Sequence, residues 1–254
     1  MKEGDTMGKT AVLIPCFNES LTIAKVISDW KQACPDADIY VYDNNSTDNT
    51  SDIAKKNGAI VRFEPQRGKG NVVRTMFRDI DADCYIMVDG DDTYPAECGQ
   101  KLIQMIMNNE ADMVIGDRLS TTYFKENKSL LHDFGNRSVR YLINLLYHSD
   151  IKDIMSGCRA FNKTFVKQFP AESKAFEIET EMAVFALTNN MRLKNIPINY
   201  KDRPKGSKSK VNTIVDGFKI YKMLFVMTHK YHKEKMIMNF YRGGLKYHNR
   251  KRNV

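Results

Sequence analysis

The sequence predicts an α/β fold with a mostly parallel β-sheet flanked by helices. Short apolar runs alternate with segments of helical periodicity in the first half of the chain, and such alternation is typical of βαβ units. Clusters of polar residues that could carry chemistry directly follow several of these apolar runs. Because ligands of open α/β sheets bind outside the carboxyl ends of the strands, the sequence also predicts one binding site along that edge.

Five strands joined by helices are expected in the first half. Apolar runs place the strands at residues 10–14, 38–42, 59–63, 84–88 and 112–115. Residues at helical spacing place helices after the first three strands, at about residues 18–30, 50–57 and 72–80. Asn18 is the expected N-cap of the first helix, and Pro95 suits the first turn of a fourth helix that ends near residue 109.

The second half is less regular. Helices are expected at about residues 139–146, 178–189 and 213–227, with a strand at 193–200 and a basic loop at 201–210. We therefore predict one catalytic domain over residues 1–227. A basic, amphipathic helical tail over residues 228–254 should follow it, and this tail either lies on a membrane surface or is disordered.

Composition narrows the compartment and the partners. The five cysteines form no CxxC pair, and no apolar stretch approaches the roughly 18 residues of a membrane span, so we expect a cytoplasmic protein with reduced thiols. The net charge of +8 is uneven. Residues 201–254 carry 15 Lys or Arg and three acidic residues, a net of +12, which leaves −4 for the first 200 residues. This basic end predicts peripheral attachment to an anionic membrane surface, or to a membrane subunit, rather than nucleic-acid binding. A homo-oligomer is also compatible with the sequence.

The strongest chemical signal is the acidic turn after the fourth predicted strand. Residues 85–88 are apolar, and Asp89, Gly90, Asp91 and Asp92 follow them. The Asp-x-Asp spacing offers the hard oxygen ligands that Mg²⁺ and Mn²⁺ prefer, and such ions are commonly held together with substrate phosphates. These residues predict a metal-dependent enzyme that acts on a nucleotide-activated substrate, with a solvated acidic turn as the alternative.

Six short motifs carry a resemblance to a known family. Three of them resemble the family 2 glycosyltransferases of the GT-A fold: Ile14-Pro-Cys-Phe-Asn-Glu19, Asp43-Asn-Asn-Ser-Thr-Asp-Asn-Thr50 and Val88-Asp-Gly-Asp91. Three more look like the dolichyl- and polyprenyl-phosphate sugar transferases: Asp153-Ile-Met-Ser-Gly-Cys-Arg-Ala-Phe161, Phe176-Glu-Ile-Glu-Thr-Glu181 and Arg203-Pro-Lys-Gly-Ser-Lys-Ser-Lys210. The resemblance covers about residues 10–225 and implies a Rossmann-like GT-A domain.

The resemblance also implies a role for each motif. Asp89 and Asp91 would bind Mg²⁺ or Mn²⁺. The nucleotide sugar would be bound by Pro15, Phe17, Asn18, Glu19, Asp43, Asn45, Lys69, Asp89 and Gly90. The acceptor phosphate would be bound by Arg159, Arg203, Ser207 and Lys208. The catalytic residues would be Asp89, Asp91, Arg118, Glu179 and Glu181.

The implied reaction is the inverting transfer of a sugar from a UDP- or GDP-sugar to a polyprenyl or dolichyl phosphate. Because a phosphate is already anionic near neutral pH, such an acceptor requires no strong general base. Two alternatives stay open. A family 2 transferase acting on a hydroxyl group of a glycan or lipid would need a base, for which Asp153, Glu179 and Glu181 are the candidates. An inactive GT-A scaffold that serves as an adaptor would need none.

Overall fold

The computed structural model describes residues 8–121, 130–207, 209–210 and 215–230 of the protein. One seven-stranded sheet forms its centre, in the order β3-β2-β1-β4-β6-β5-β7. All neighbouring strands are parallel except at β6, which is antiparallel to both β4 and β5. The strands are β1 (Thr10–Cys16), β2 (Ala37–Asp43), β3 (Ile60–Phe63), β4 (Cys84–Met87), β5 (Met113–Asp117), β6 (Arg159–Asn162) and β7 (Leu193–Pro197). The predicted α/β fold is thus confirmed.

Helices cover both faces of the sheet. They are α1 (Ile23–Ala33), α2 (Thr50–Lys56), α3 (Lys69–Asp79), α4 (Gly99–Met107), α5 (Leu130–Tyr147), α6 (Lys163–Gln168), α7 (Ile178–Thr188) and α8 (residues 215–230). A short 3-10 turn, Ala96–Cys98, precedes α4. None of the helices in the described ranges is long and apolar enough to cross a membrane.

The central strand β1 shows why the apolar runs become buried strands. Its side chains alternate between the two faces, so Val12 and Ile14 join the core that contains Trp30 of α1. Leu13 joins the opposite core, which contains Met76 of α3. All five side chains are essentially inaccessible, and each aliphatic one contributes about 1.5–3 kcal/mol through burial.

Strand β6 and helix α6 were not predicted from the sequence. The strand has only four residues and begins with a charged one, Arg159, so its apolar signal is short. It is stabilised by two neighbours, with Arg159 opposite Met87 of β4 and opposite Ile115 of β5. Because β6 is antiparallel, its first residue lies at the same edge as the carboxyl ends of the parallel strands. The segment before β6 therefore reaches the predicted site.

Several predicted boundaries differ from the structure. Helix α1 begins at Ile23 rather than near Asn18, because Asn18 has a left-handed backbone (φ 55°) and its side-chain oxygen accepts the Thr47 N–H at 2.7 Å. Strand β7 ends at Pro197, three residues earlier than expected. Helix α8 continues past the predicted domain boundary at residue 227, and the Thr228 hydroxyl lies 3.0 Å from that of Tyr147 in α5. The boundary itself stays a prediction.

Candidate active site

A cavity of about 670 Å³ opens at the carboxyl ends of the parallel strands. The structure brings together, in its lining, residues from loops that are far apart in the sequence. The predicted site residues among them are Pro15, Phe17, Glu19, Lys69, Asp89, Gly90, Asp91, Arg118, Glu179 and Arg203. Helix α3 contributes Lys69 from its first turn, where Gly70 allows backbone contact: a Cβ there would lie 2.1 Å from the carbonyl oxygen of Ser173.

The Asp89–Asp91 turn lines the cavity, and each of its two carboxylates forms an ion pair with a cation of the chain. Lys69 Nζ lies 2.5 Å from Asp89 Oδ1, and Arg203 forms an ion pair with Asp91. Burial would raise the pKa of Asp89, but the Lys69 ammonium holds it below its ordinary value. Burial and the neighbouring Asp89 charge instead raise the pKa of Asp91. A Cβ at Gly157 would lie 2.2 Å from Asp89 Oδ2, so the segment before β6 needs glycine at this point.

The two carboxylates fit a divalent cation. They come from one turn, they repel each other in a poorly solvated place, and their oxygens are hard ligands. The described part of the chain contains no cluster of three or more His, Cys, Asp or Glu that could hold a metal by itself. This suits Mg²⁺-type binding, in which one or two carboxylates act together with substrate phosphates and water.

Arg118 follows β5 and is held firmly at the cavity edge. Its Nε and Nη2 donate to the two carboxylate oxygens of Asp153 at 2.7 and 3.0 Å, and Asn136 Nδ2 donates to the same carboxylate at 2.9 Å. Its guanidinium lies 5.9 Å and 5.5 Å from the ring centres of Tyr94 and Tyr200. Such a fork leaves the charge fixed in direction, as phosphate recognition requires.

Asp153 cannot act as a general base from this position. It has no accessible surface, and both oxygens accept hydrogen bonds. Burial would raise the pKa of Asp153, but Arg118 and Asn136 hold it below its ordinary value. An inaccessible carboxylate that stays ionised orients its arginine and does not collect a proton from a substrate.

Glu179 and Glu181 lie on α7 but have different surroundings. Glu179 lines the cavity, where its carboxylate lies 2.5 Å from Lys69 Nζ, and burial raises its pKa in spite of this ion pair. Glu181 does not line the cavity. Its two oxygens accept the backbone N–H groups of Glu172 and Ser173 at 2.8 and 2.7 Å, so Glu181 holds the loop that packs on α3.

The two residues of the second loop that are predicted to bind the nucleotide form hydrogen bonds that stabilise the loops, Asp43 within its own loop and Asn45 to the next one. Asp43 accepts from Ser46 N at 3.0 Å and from Ser51 Oγ at 2.8 Å. Asn45 Nδ2 donates to the carbonyl oxygens of residues 64 and 65 at 3.1 and 2.9 Å. Asp43, Asn45 and the predicted nucleotide residue Asn18 all lie outside the cavity lining.

Two residues of this region, Asn44 and Arg67, line the cavity but were not among the predicted site residues. Asn44 joins three loop positions, since its amide donates to the carbonyl oxygens of residues 64 and 66 and its oxygen accepts from Gly68 N. Arg67 stacks on the Phe17 ring at 4.2 Å from its centre. Fifty residues separate that pair, so no local pattern could have identified it.

The predicted acceptor-phosphate residues are only partly brought to the cavity. Arg203 lines it, as does Lys210 of the same loop, which forms an ion pair with Glu19. Arg159 is completely buried and donates to the carbonyl oxygens of residues 154 and 156, so it shapes the segment before β6. Ser207 lies outside the cavity lining, and Lys208 lies outside the described residues.

Comparison with known proteins agrees with this arrangement. Residues 11–169 match the sequence profile of glycosyl transferase family 2. The chain belongs to this family. Glycosyltransferase AglJ of Haloferax volcanii is 35% identical over 221 residues, which cover 87% of this chain and 72% of that protein. The UDP-N-acetylglucosamine–dolichyl-phosphate N-acetylglucosaminyltransferase of Methanococcus voltae is 25% identical over 241 residues, which cover 85% of this chain and 94% of the relative.

A solved structure shares the fold of this glycosyltransferase. Glucosyl-3-phosphoglycerate synthase from Mycobacterium tuberculosis, in complex with Mn²⁺, uridine diphosphate and phosphoglyceric acid, superposes with a TM-score of 0.69. The sequence identity is 16%, and the match covers 90% of this chain and 84% of that one. The relatives of this family 2 glycosyltransferase therefore include dolichyl-phosphate sugar transferases, and its fold matches GT-A enzymes.

Proposed function

We propose that this glycosyltransferase moves a sugar from a nucleoside diphosphate sugar to a polyprenyl phosphate, with inversion at the anomeric carbon. The observation that supports a phosphate acceptor best is the state of the three carboxylates considered as a general base, of which only Glu179 lines the cavity. Asp153 and Glu181 are committed to Arg118 and to backbone N–H groups, and Glu179 is paired with Lys69. None of the three is a carboxylate open to a hydroxyl proton, whereas an anionic phosphate oxygen needs no base.

The residues divide the work as follows. Asp89 and Asp91 would hold the divalent cation, which offsets the charge that develops on the leaving diphosphate. Lys69 and Arg203 lie beside these carboxylates and can donate to phosphate oxygens. Arg118, fixed by Asp153, also lines the cavity and would orient the acceptor phosphate for in-line attack.

The acceptor would reach the cavity from a membrane surface. Helices α5 and α8 pack side by side. Together they expose five large apolar side chains, each more than half accessible: Tyr141, Leu145, Phe218, Phe225 and Val226. Lys219 and Lys222 are exposed on α8. This surface therefore combines apolar side chains with positive charge, as binding to an anionic membrane requires. The five free cysteines suit a reducing, cytoplasmic side of that membrane.

A product assay with purified protein tests the acceptor class. UDP- and GDP-sugars are offered with Mn²⁺ or Mg²⁺, together with either a short polyprenyl phosphate or a panel of simple saccharides. We expect transfer to the lipid phosphate, and we expect Glu179→Gln to lose much less than the roughly 10²–10⁴-fold that removal of a general base costs. Transfer to saccharide hydroxyls alone would overturn the phosphate acceptor. It would favour as a base one of two acids that line the cavity, Glu179 or the exposed Asp202.

Binding to lipid vesicles separately tests whether the exposed surface of α8 contacts the membrane. Phe218→Ser combined with Phe225→Ser should reduce sedimentation with anionic phosphatidylglycerol vesicles. Phe63→Ser is a matched control, because Phe63 is 60% exposed on the edge strand β3, away from α8. Equal loss of binding in both proteins would remove α8 from the proposal and leave the acceptor chemistry untouched.

A further inference from the structure

Three carboxylates that line the cavity carry built-in counterions. Asp89 is paired with Lys69, Asp91 with Arg203 and Glu19 with Lys210. A divalent cation that approaches this site alone must displace Lys69 from Asp89 and Arg203 from Asp91. Since the Lys69 side chain is 7% exposed, its ammonium would then lose a partner in a place where water cannot replace it.

Each of the two displaced cations has a second carboxylate within reach. Lys69 Nζ lies 2.5 Å from Glu179 Oε1 as well as from Asp89, and Arg203 Nη1 lies 4.0 Å from Glu19 Oε1. Lys69 can therefore release Asp89 without becoming an unpaired buried charge. Both Lys69 and Arg203 line the cavity, where a diphosphate would accept the N–H donors that they release.

We propose that Lys69 and Arg203 are exchangeable counterions of the metal-binding carboxylates, and that a metal–nucleoside diphosphate complex replaces both ion pairs in one exchange. The metal takes the oxygens of Asp89 and Asp91, while the diphosphate oxygens take the N–H donors of Lys69 and Arg203. Neither ligand alone completes the exchange, so metal and nucleotide bind with positive coupling. This inference rests on the metal and donor use of the proposed function, and it is independent of the acceptor.

The coupling is measured by binding, without turnover. Free Mn²⁺ is followed by electron paramagnetic resonance while protein is titrated, with no nucleotide, with UDP or with GDP. For the wild-type protein we expect weak binding of Mn²⁺ alone and an affinity raised about 5- to 150-fold by the nucleotide that fits. In Lys69→Met the affinity for Mn²⁺ alone should rise about fivefold or more, and the enhancement by nucleotide should shrink.

The chain offers a matched control for the lost charge. Lys25 forms an ion pair with Asp92, the next residue of the same turn, at 3.0 Å, but it does not line the cavity. Lys25→Met removes the same charge nearby and should leave Mn²⁺ affinity unchanged. Lys69→Arg, which keeps a cation, should behave more like the wild type, and circular dichroism verifies that each variant is folded.

Three results would overturn the exchange. These are unchanged or weaker binding of Mn²⁺ alone in Lys69→Met, an equal gain in Lys25→Met, and absence of coupling between Mn²⁺ and either nucleotide in the wild type. The proposed acceptor fails in a different way. Coupled binding of Mn²⁺ and nucleotide with no transfer to polyprenyl phosphate would refute the acceptor and keep the exchange.

Discussion

The two sides of the cavity are built by different interactions. On one side, loops at residues 17–19, 43–51 and 64–68 are connected to one another by hydrogen bonds such as those of Asn44 and Asn45; we call this the hydrogen-bonded side. On the other, Asp89, Asp91 and Asp153 meet Lys69, Arg203 and Arg118, and we call this the ion-paired side. Tied loops keep a shape, whereas ion pairs can change partners when a charged ligand arrives. The charges of the metal ion and of the diphosphate should therefore be neutralised on the ion-paired side.

The largest effect is expected from the metal-binding carboxylates. Asp89→Asn or Asp91→Asn should lower the transfer rate about 10²–10³-fold or more, because the cation that offsets leaving-group charge is no longer held. Product formation from a radiolabelled nucleotide sugar measures this. Asp92→Asn is the control, since Asp92 belongs to the same turn but pairs with Lys25. A similar loss in the control would point to damage of the turn and not to loss of the metal.

The buried pair Asp153–Arg118 should give the next largest effect, on stability. Asp153→Asn leaves a largely buried guanidinium without its carboxylate, which should destabilise the protein by about 3 kcal/mol. Because the folded-state pKa of Asp153 is lowered, its contribution is complete above the unfolded value of about 4 and is lost as pH falls through the folded value. The difference between wild type and variant in urea unfolding should thus be constant near neutrality and shrink below about pH 4. A constant difference down to pH 2 would contradict the ionised state of Asp153.

The loops of the hydrogen-bonded side could mostly be predicted from the sequence, but the hydrogen bonds between them could not. Strands and the turns that follow them are local features, so β1, β2 and β4 and the sites after them were recognised from apolar runs of a few residues. The roles of individual side chains were not. Asp43 accepts from residues three and eight positions further along its own loop, and no pattern in the sequence indicates that its side chain turns inward. Asn45 donates to residues 64 and 65 of another loop, a contact that depends on tertiary packing.

The ion-paired side was predicted only as a set of charges. The pairing of Lys69 with Glu179 joins residues 110 positions apart, and that of Arg118 with Asp153 joins residues 35 apart. Burial was also not predicted. Arg159 was expected to bind a phosphate, but it is the first residue of β6 and is completely buried. A charged side chain in a short strand carries no sequence signal that separates a surface cation from a buried one.

A substitution at Glu181 tests whether this acid of α7 has a structural role, in contrast to Glu179, which lines the cavity. In Glu181→Gln, an NH₂ group replaces one of the two carboxylate oxygens, so one of the two bonds from backbone N–H groups is lost. The free energy of unfolding should fall by about 1–3 kcal/mol. The kcat should stay nearly unchanged at temperatures where the variant is folded. Thermal unfolding and steady-state kinetics measure the two effects. A large fall in kcat with unchanged stability would instead place Glu181 in the chemistry.

The smallest effect is expected on the hydrogen-bonded side, at Asp43. If Asp43 recognises the base, as the family resemblance implies, Asp43→Asn should weaken nucleotide binding about tenfold or more, because a charged acceptor of base N–H groups is lost. If Asp43 only ties Ser46 and Ser51, the asparagine oxygen can still accept one of the two bonds, and the dissociation constant for UDP or GDP should change less than about threefold. The melting temperature should then fall by a few degrees, since about 1 kcal/mol of hydrogen bonding within the loop is lost.

Calorimetric titration with nucleotide, together with a melting curve, separates these two outcomes for Asp43→Asn. A tenfold loss of affinity without a change in melting temperature would show that the hydrogen-bonded side reads the ligand as well as holding its own shape.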